Sequence, residues 1–319
     1  MYCWKKRVQT NYLNPSSGIC LNILNTAARH GDALLATDVF RILGNRNTVF
    51  EENHYEMLLD TYVAAGDIKA ALSVLSVMKA AGVSPDEGST RSLLQALTED
   101  RILSVEEAFD HLRSLKEQGR PVPTAAVNCL IEVTVKSHGL DKAFERYEAL
   151  HTICDEGPNT ATFNTLFRGC RDQRNKEMAM FLASEMVALK IKPDTLTYDR
   201  LVGVCALTDS LDDAMAYYTE MTAQGHVTRS GTSLDLMDCC IRHKDSRVWE
   251  VWEYRKKHYP HFIRRDSAHL RANACDIPDY TKHILIESPE LAKDVQEDFV
   301  SSNARDANGG NQANRYTER

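Results

Sequence analysis

No apolar run in this chain approaches the roughly 20 residues that a membrane-spanning helix needs. The opening MYCWKKRVQT has charge but no apolar stretch behind it, so it does not read as a secretory signal. The nine cysteines include no Cys-x-x-Cys, which excludes the common zinc and redox spacings. Disulfide frameworks belong to small secreted chains; in 319 residues, reduced thiols are expected. There is no Gly-rich phosphate cradle and no nucleophile elbow. Basic excess is missing too: 38 Lys and Arg stand against 45 Asp and Glu, a formal net charge of −7. That balance argues against an indiscriminate polyanion binder and leaves room for a local basic groove. His54-Tyr55-Glu56 matches half of a zinc-deaminase signature, but its Pro-Cys-x-x-Cys half is absent. Cys239 and Cys240 point in different directions on a helix and make poor joint ligands. The chain is read as non-catalytic, with no cofactor and no metal.

What is present is a beat. Ala36, Ala71, Ala108, Ala143, Ala179 and Ala214 are separated by 35, 37, 35, 36 and 35 residues. Seven residues after each stands a bulky apolar side chain: Leu43, Met78, Leu115, Leu150, Met186 and Met221. Cys170, Cys205 and Cys240 recur at a spacing of 35, as copies of one core position. A fixed period of this size marks a solenoid of stacked units.

One unit shows why it repeats. In ENHYEMLLDTYVAAGD, Tyr55, Leu58, Leu59 and Tyr62 form one apolar helix face. Gly66 suits the left-handed turn that closes this helix, and Asp67 suits the cap of the next. The second helix offers Ile68, Ala71, Leu72, Leu75 and Met78, with Ala71 small enough to let two helices approach. Gly82 and Pro85 end the unit. A lone hairpin exposes two apolar faces, so neighbours must cover them.

The units read as 17–51, 52–86, 87–123, 124–159, 160–194, 195–229 and a degenerate 230–259 with Trp249 at the alanine position. The third holds two extra residues, expected in its inter-helix turn near EDRILSVEEAF. Segment 1–16 is basic and acid-poor, as in a mitochondrial presequence; it is either part of one or a cap of the first repeat. Residues 260–300 are expected to cap the other end with one helix, N-capped by Ser288 with Pro289 at its first position. Residues 301–319 are polar, rich in glycine and asparagine, and expected to be disordered.

The copies TATFNTLFRGCRDQRNKEMAMFLASEMVALKIKPD and ENHYEMLLDTYVAAGDIKAALSVLSVMKAAGVSPD resemble the pentatricopeptide repeat. They share its aromatic-Asn or aromatic-Glu opening, mid-unit alanine, methionine and closing Pro-Asp. The resemblance implies an all-α solenoid wound as a right-handed superhelix, binding single-stranded RNA at about one base per repeat, mostly in mitochondria or chloroplasts. It also implies that the fifth and last residues of each repeat read the base. Those are Asn128 with Asn159 and Asn164 with Asp194, both matching pyrimidine-reading combinations, the second for uracil. Glu56 with Asp86, Arg91 with Pro123, and Asp199 with Arg229 fall outside those combinations, and Leu21 and Leu234 occupy the fifth position of the outer units. The residue that sandwiches the base is Ala125, Ala161 and Leu196 in the central three, where the family has valine.

EYRKKHYPHFIRR, residues 253–265, is the one basic cluster with interleaved aromatics. In one reading Arg255, Lys256, Lys257, Arg264 and Arg265 track phosphates while Tyr259 or Phe262 stacks on a base. In the other, which we favour, it is a solvated end cap whose long stems cover an apolar edge. The leading function is a monomeric RNA-binding protein acting on mitochondrial transcripts in processing, stability or translation. The alternative is a protein-binding scaffold such as a mitochondrial assembly factor.

Overall fold

The computed structural model describes residues 15–100 and 103–285, together with Trp4 and Val8. The helix expected at Ser288 and the tail 301–319 lie outside the described residues, as does most of segment 1–16. Among the described residues there are fifteen α-helices and no strand. The chain divides into two compact bodies, Met1–Arg200 and Leu201–Arg319.

The first body holds five hairpins, of which the first four are α1 (Ser17–His30) with α2 (Ala33–Asn45), α3 (Glu52–Ala64) with α4 (Ile68–Ala80), α5 (Arg91–Gln95) with α6 (Val105–Glu117), and α7 (Thr124–Ser137) with α8 (Leu140–Ile153). A fifth follows, α9 (Thr160–Asp172) with α10 (Lys176–Ala188), and then the start of α11 (Thr195–Leu207). Each first helix packs on the next first helix, α1 on α3, α3 on α5, α5 on α7 and α7 on α9, as in a solenoid. Gly66 takes φ 76° where α3 turns toward α4, and Asp67 accepts the Ala70 N–H at 3.0 Å to cap α4. Gly31, at φ 62°, also admits a close neighbour, since a Cβ there would lie 2.9 Å from the Ala64 carbonyl oxygen.

The periodic alanines are core positions in both bodies. Ala36, Ala71, Ala108, Ala143, Ala179 and Ala214 are wholly buried, and the apolar partners seven residues on are buried with them. Cys170, Cys205 and Cys240 are buried as well, and burial pushes the Cys170 and Cys240 thiols up to about 12. The third hairpin departs from the pattern. Residues 87–90 form a turn, α5 is short, and it widens into a π-helical turn at Ala96–Asp100. A π turn absorbs extra chain within a helix, and this one borders the connection in which the added length is expected.

The second body contains the rest of α11 with α12 (Leu211–Ala223), α13 (Ser230–Arg242) with α14 (Val248–His258), and α15 (Ile263–Asn273). Trp249 replaces the alanine on α14, and its indole N–H donates to the Pro278 carbonyl at 2.6 Å. No helix among the described residues is long and apolar enough to cross a membrane.

Candidate nucleic-acid interface

Asn159 N-caps α9, its Oδ1 accepting the Thr162 N–H at 3.0 Å. The same oxygen accepts from Asn128 Nδ2 at 3.1 Å, so one cap reaches back to α7. The Thr162 hydroxyl accepts the Asn159 N–H at 3.0 Å and donates its single proton to Asn128 Oδ1 at 2.8 Å. The arrangement recurs one repeat later. Asn164 Nδ2 lies 3.1 Å from both Asp194 oxygens, Thr197 donates to Asn164 Oδ1 at 2.9 Å, and Asp194 Oδ1 accepts the Thr197 N–H at 2.7 Å.

Both amides are recessed, at 5% exposure, while Asn159 and Asp194 stand exposed. Burial opposes ionisation of Asp194, but hydrogen bonds from the Thr197 N–H, Asn164, the Thr197 hydroxyl and the Leu196 N–H prevail and hold its carboxyl below the ordinary range. An amide has two donors and two acceptor lone pairs. The network engages one side of each, leaving a donor and a lone pair on a held plane. Four residues beyond each amide, Glu132 and Arg168 pair at 3.0 Å, and Lys136 joins Glu132 at 3.1 Å. Arg200 donates to the Asn164 carbonyl.

A model described as "Pentatricopeptide repeat-containing protein" matches residues 17–150, and one described as "Pentatricopeptide repeat domain" matches 155–207. The chain belongs to the pentatricopeptide repeat family. A pentatricopeptide repeat-containing protein of Arabidopsis thaliana is 27% identical over 187 residues, covering 56% of this chain and 31% of its own. A second from that plant, named as mitochondrial, is 23% identical over 239 residues, covering 72% of this chain and 38% of its own. The chain thus spans about a third of the length of these curated relatives. Among solved structures, the pentatricopeptide repeat protein PPR10, of maize, in complex with an 18-nt psaJ RNA element is 17% identical with a TM-score of 0.46, covering 89% of this chain and 42% of that one.

The other fifth and last positions of these pentatricopeptide repeats are built differently. Glu56 is half-buried, and its carboxyl is pushed up by burial and then by Glu52, Asp60 and Asp86. Asp86 turns to its own chain, accepting the Ser89 N–H at 2.9 Å, while the Ser89 hydroxyl donates to Glu52 at 2.9 Å. Arg91 is exposed and lines an open cleft of about 290 Å³ with Glu56, Asp60, Ser89 and Gln95. Pro123 sits at the N-cap of α7 without a side-chain cap. Asp199 is buried on α11, and Arg229 is exposed at the N-cap of α13. Leu21 and Leu234 are half-buried.

The basic cluster needs a correction at Arg255. Its side chain is 1% exposed; it pairs with Asp266 at 2.7 Å and donates to the Ser230 carbonyl and the Ser233 hydroxyl, both at 2.5 Å. A guanidinium so enclosed cannot track phosphate. The Tyr259 hydroxyl is engaged with the Thr228 carbonyl, and Lys256 pairs with Glu253 over the Trp252 ring. Lys257, Arg264, Arg265 and Phe262 remain exposed. His54 is a structural residue: its Nδ1 accepts the Glu51 N–H at 3.1 Å in the capping box of α3.

Thr162 and Thr197, whose hydroxyls hold the two amides, are not among the positions that the resemblance implies. Their signal was available, since Thr162, Thr197 and Thr232 stand 35 apart as third residues of their repeats.

Proposed function

We propose that this pentatricopeptide repeat chain is a non-catalytic, monomeric protein that binds single-stranded RNA and reads bases chiefly at two successive repeats. The observation that carries this reading is the pair of matched networks, Asn128–Asn159–Thr162 and Asn164–Asp194–Thr197. Each holds an amide in a fixed plane with a donor and an acceptor to spare, the complement of a pyrimidine edge. The mitochondrial name of one relative supports an organellar transcript as target. We place its action in mitochondrial RNA processing, stability or translation.

The test is competitive binding of four RNAs that differ at the nucleotide facing Asn164. Wild type should favour uracil there, and Asn164→Thr should move the preference toward guanine by more than about fivefold, as one base contact carries roughly 1–3 kcal/mol. Identical rankings for both proteins would overturn base reading by this repeat.

A second reading, a protein-binding scaffold, draws on the acidic cleft around Glu56, Asp60 and Asp86, which suits a basic peptide better than a phosphate chain. Selection from a random RNA pool near 0.1 M salt, beside a pull-down from organelle extract, separates the two.

A further inference from the structure

Three unlike donors meet in the second body. Asp209, Cys239 and His243 each present a ligand atom, and these atoms lie within 4.8 Å of one another. Cys239 and His243 are four residues apart, a spacing that places both on one face of a helical turn. Asp209 comes from the turn between α11 and α12, where its φ of 54° is left-handed. The thiol is fully buried, whereas the carboxylate and imidazole are exposed, so a soft donor forms the floor and two harder donors form the rim.

The neighbouring groups orient these donors. His243 Nε2 lies 3.1 Å from the Asp209 backbone carbonyl oxygen. A carbonyl only accepts, so this contact puts the ring proton on Nε2 and the lone pair on Nδ1. Metal-binding histidines characteristically give their other N–H to such a partner. Arg242 Nε donates to Asp209 Oδ1 at 2.6 Å while its Nη2 donates to the Ala206 carbonyl at 3.0 Å. One carboxylate oxygen is thereby pinned and the other left to ligate. The guanidinium opposes a cation, and a thiolate with a carboxylate answers it with two negative charges.

We propose that Asp209, Cys239 and His243 bind one zinc-like divalent cation, with water completing a four-coordinate shell. Mixed sulfur, imidazole and carboxylate ligation suits zinc, and three protein ligands leave one position open. The cation takes the place of the Cys239 thiol proton, which leaves to solvent. Because Asp209 belongs to one hairpin and the other two ligands to the next, the ion would clip successive repeats together.

The test uses the untagged full chain, reduced, stripped with chelator and titrated with cobalt(II). One equivalent should give the intense visible bands of four-coordinate cobalt and a near-ultraviolet thiolate-to-cobalt band, and zinc should bleach both. Cys239→Ser should remove the thiolate band. His243→Gln alters an exposed side chain and should weaken cobalt binding by about tenfold or more. Cys275→Ser, at the exposed thiol outside the group, should change neither. Wild-type protein without these bands, a thiolate band surviving in Cys239→Ser, or one lost in Cys275→Ser would each overturn the site.

Discussion

At Thr197 the hydroxyl accepts from the Asp194 N–H at 3.2 Å and donates to Asn164 Oδ1 at 2.9 Å, so removing it disturbs both members of the Asn164–Asp194 pair. Thr197→Val keeps the shape and deletes the hydroxyl in a fully buried setting. Thermal or denaturant melts should show a loss of about 1–2 kcal/mol, and Thr197→Ser should restore most of it. RNA discrimination at that nucleotide should fall together with stability, because Asn164 is then held from one side only. The repeat boundaries are legible in the sequence through spacing, and the fifth and last positions, with the pairing of Asn164 and Asp194, are legible only by resemblance. The threonines share the 35-residue beat, but a hydroxyl at a helix start reads first as a local cap, which hides their second role. Here it is a cap that also reaches the preceding repeat.

Helix by helix, the alanine beat and the Gly66–Asp67 turn locate the hairpins well, since each rests on local chemistry. The third hairpin is harder to read. Its first helix is shortened and widened by a π turn, and nothing in residues 87–100 announces a π turn by composition. Arg255 is harder still, because a run of basic residues reads as solvent-facing while its partner Asp266 lies on another helix. That ion pair joins α14 to α15, and through Ser230 and Ser233 it also engages α13. Asp266→Ala leaves a buried guanidinium uncompensated and should cost about 3–5 kcal/mol. The double variant Arg255→Met with Asp266→Leu should recover much of that loss, since an apolar pair needs no partner. Hydrogen exchange of α15 amides is the measurement. Equal protection in wild type and Asp266→Ala would mean that apolar packing alone holds the helix.

For the molecule as a whole, charge limits the RNA binding proposed for the first body. Glu52, Glu56 and Asp60 recur every four residues on α3 and so share one face, with Asp86 close enough to raise the Glu56 carboxyl. These carboxylates stand at and around positions equivalent to the neutral amides Asn128 and Asn164. A phosphate chain passing both repeats gains at the amides and is repelled at the acids. Glu56→Gln combined with Asp86→Asn should therefore tighten single-stranded RNA binding, by roughly two- to fivefold near 0.1 M salt, on the scale of about 1 kcal/mol for charges a few ångströms apart in water. Near 1 M salt the Debye length shrinks to about 3 Å and the gain should vanish. Fluorescence anisotropy of a uridine-containing oligonucleotide at both salt concentrations reads the difference. If affinity is unchanged at both, RNA does not pass this face. The 290 Å³ cleft beside Glu56 is then better matched to a basic peptide, and the same double variant should weaken that peptide's binding while leaving the base preference at Asn164 intact.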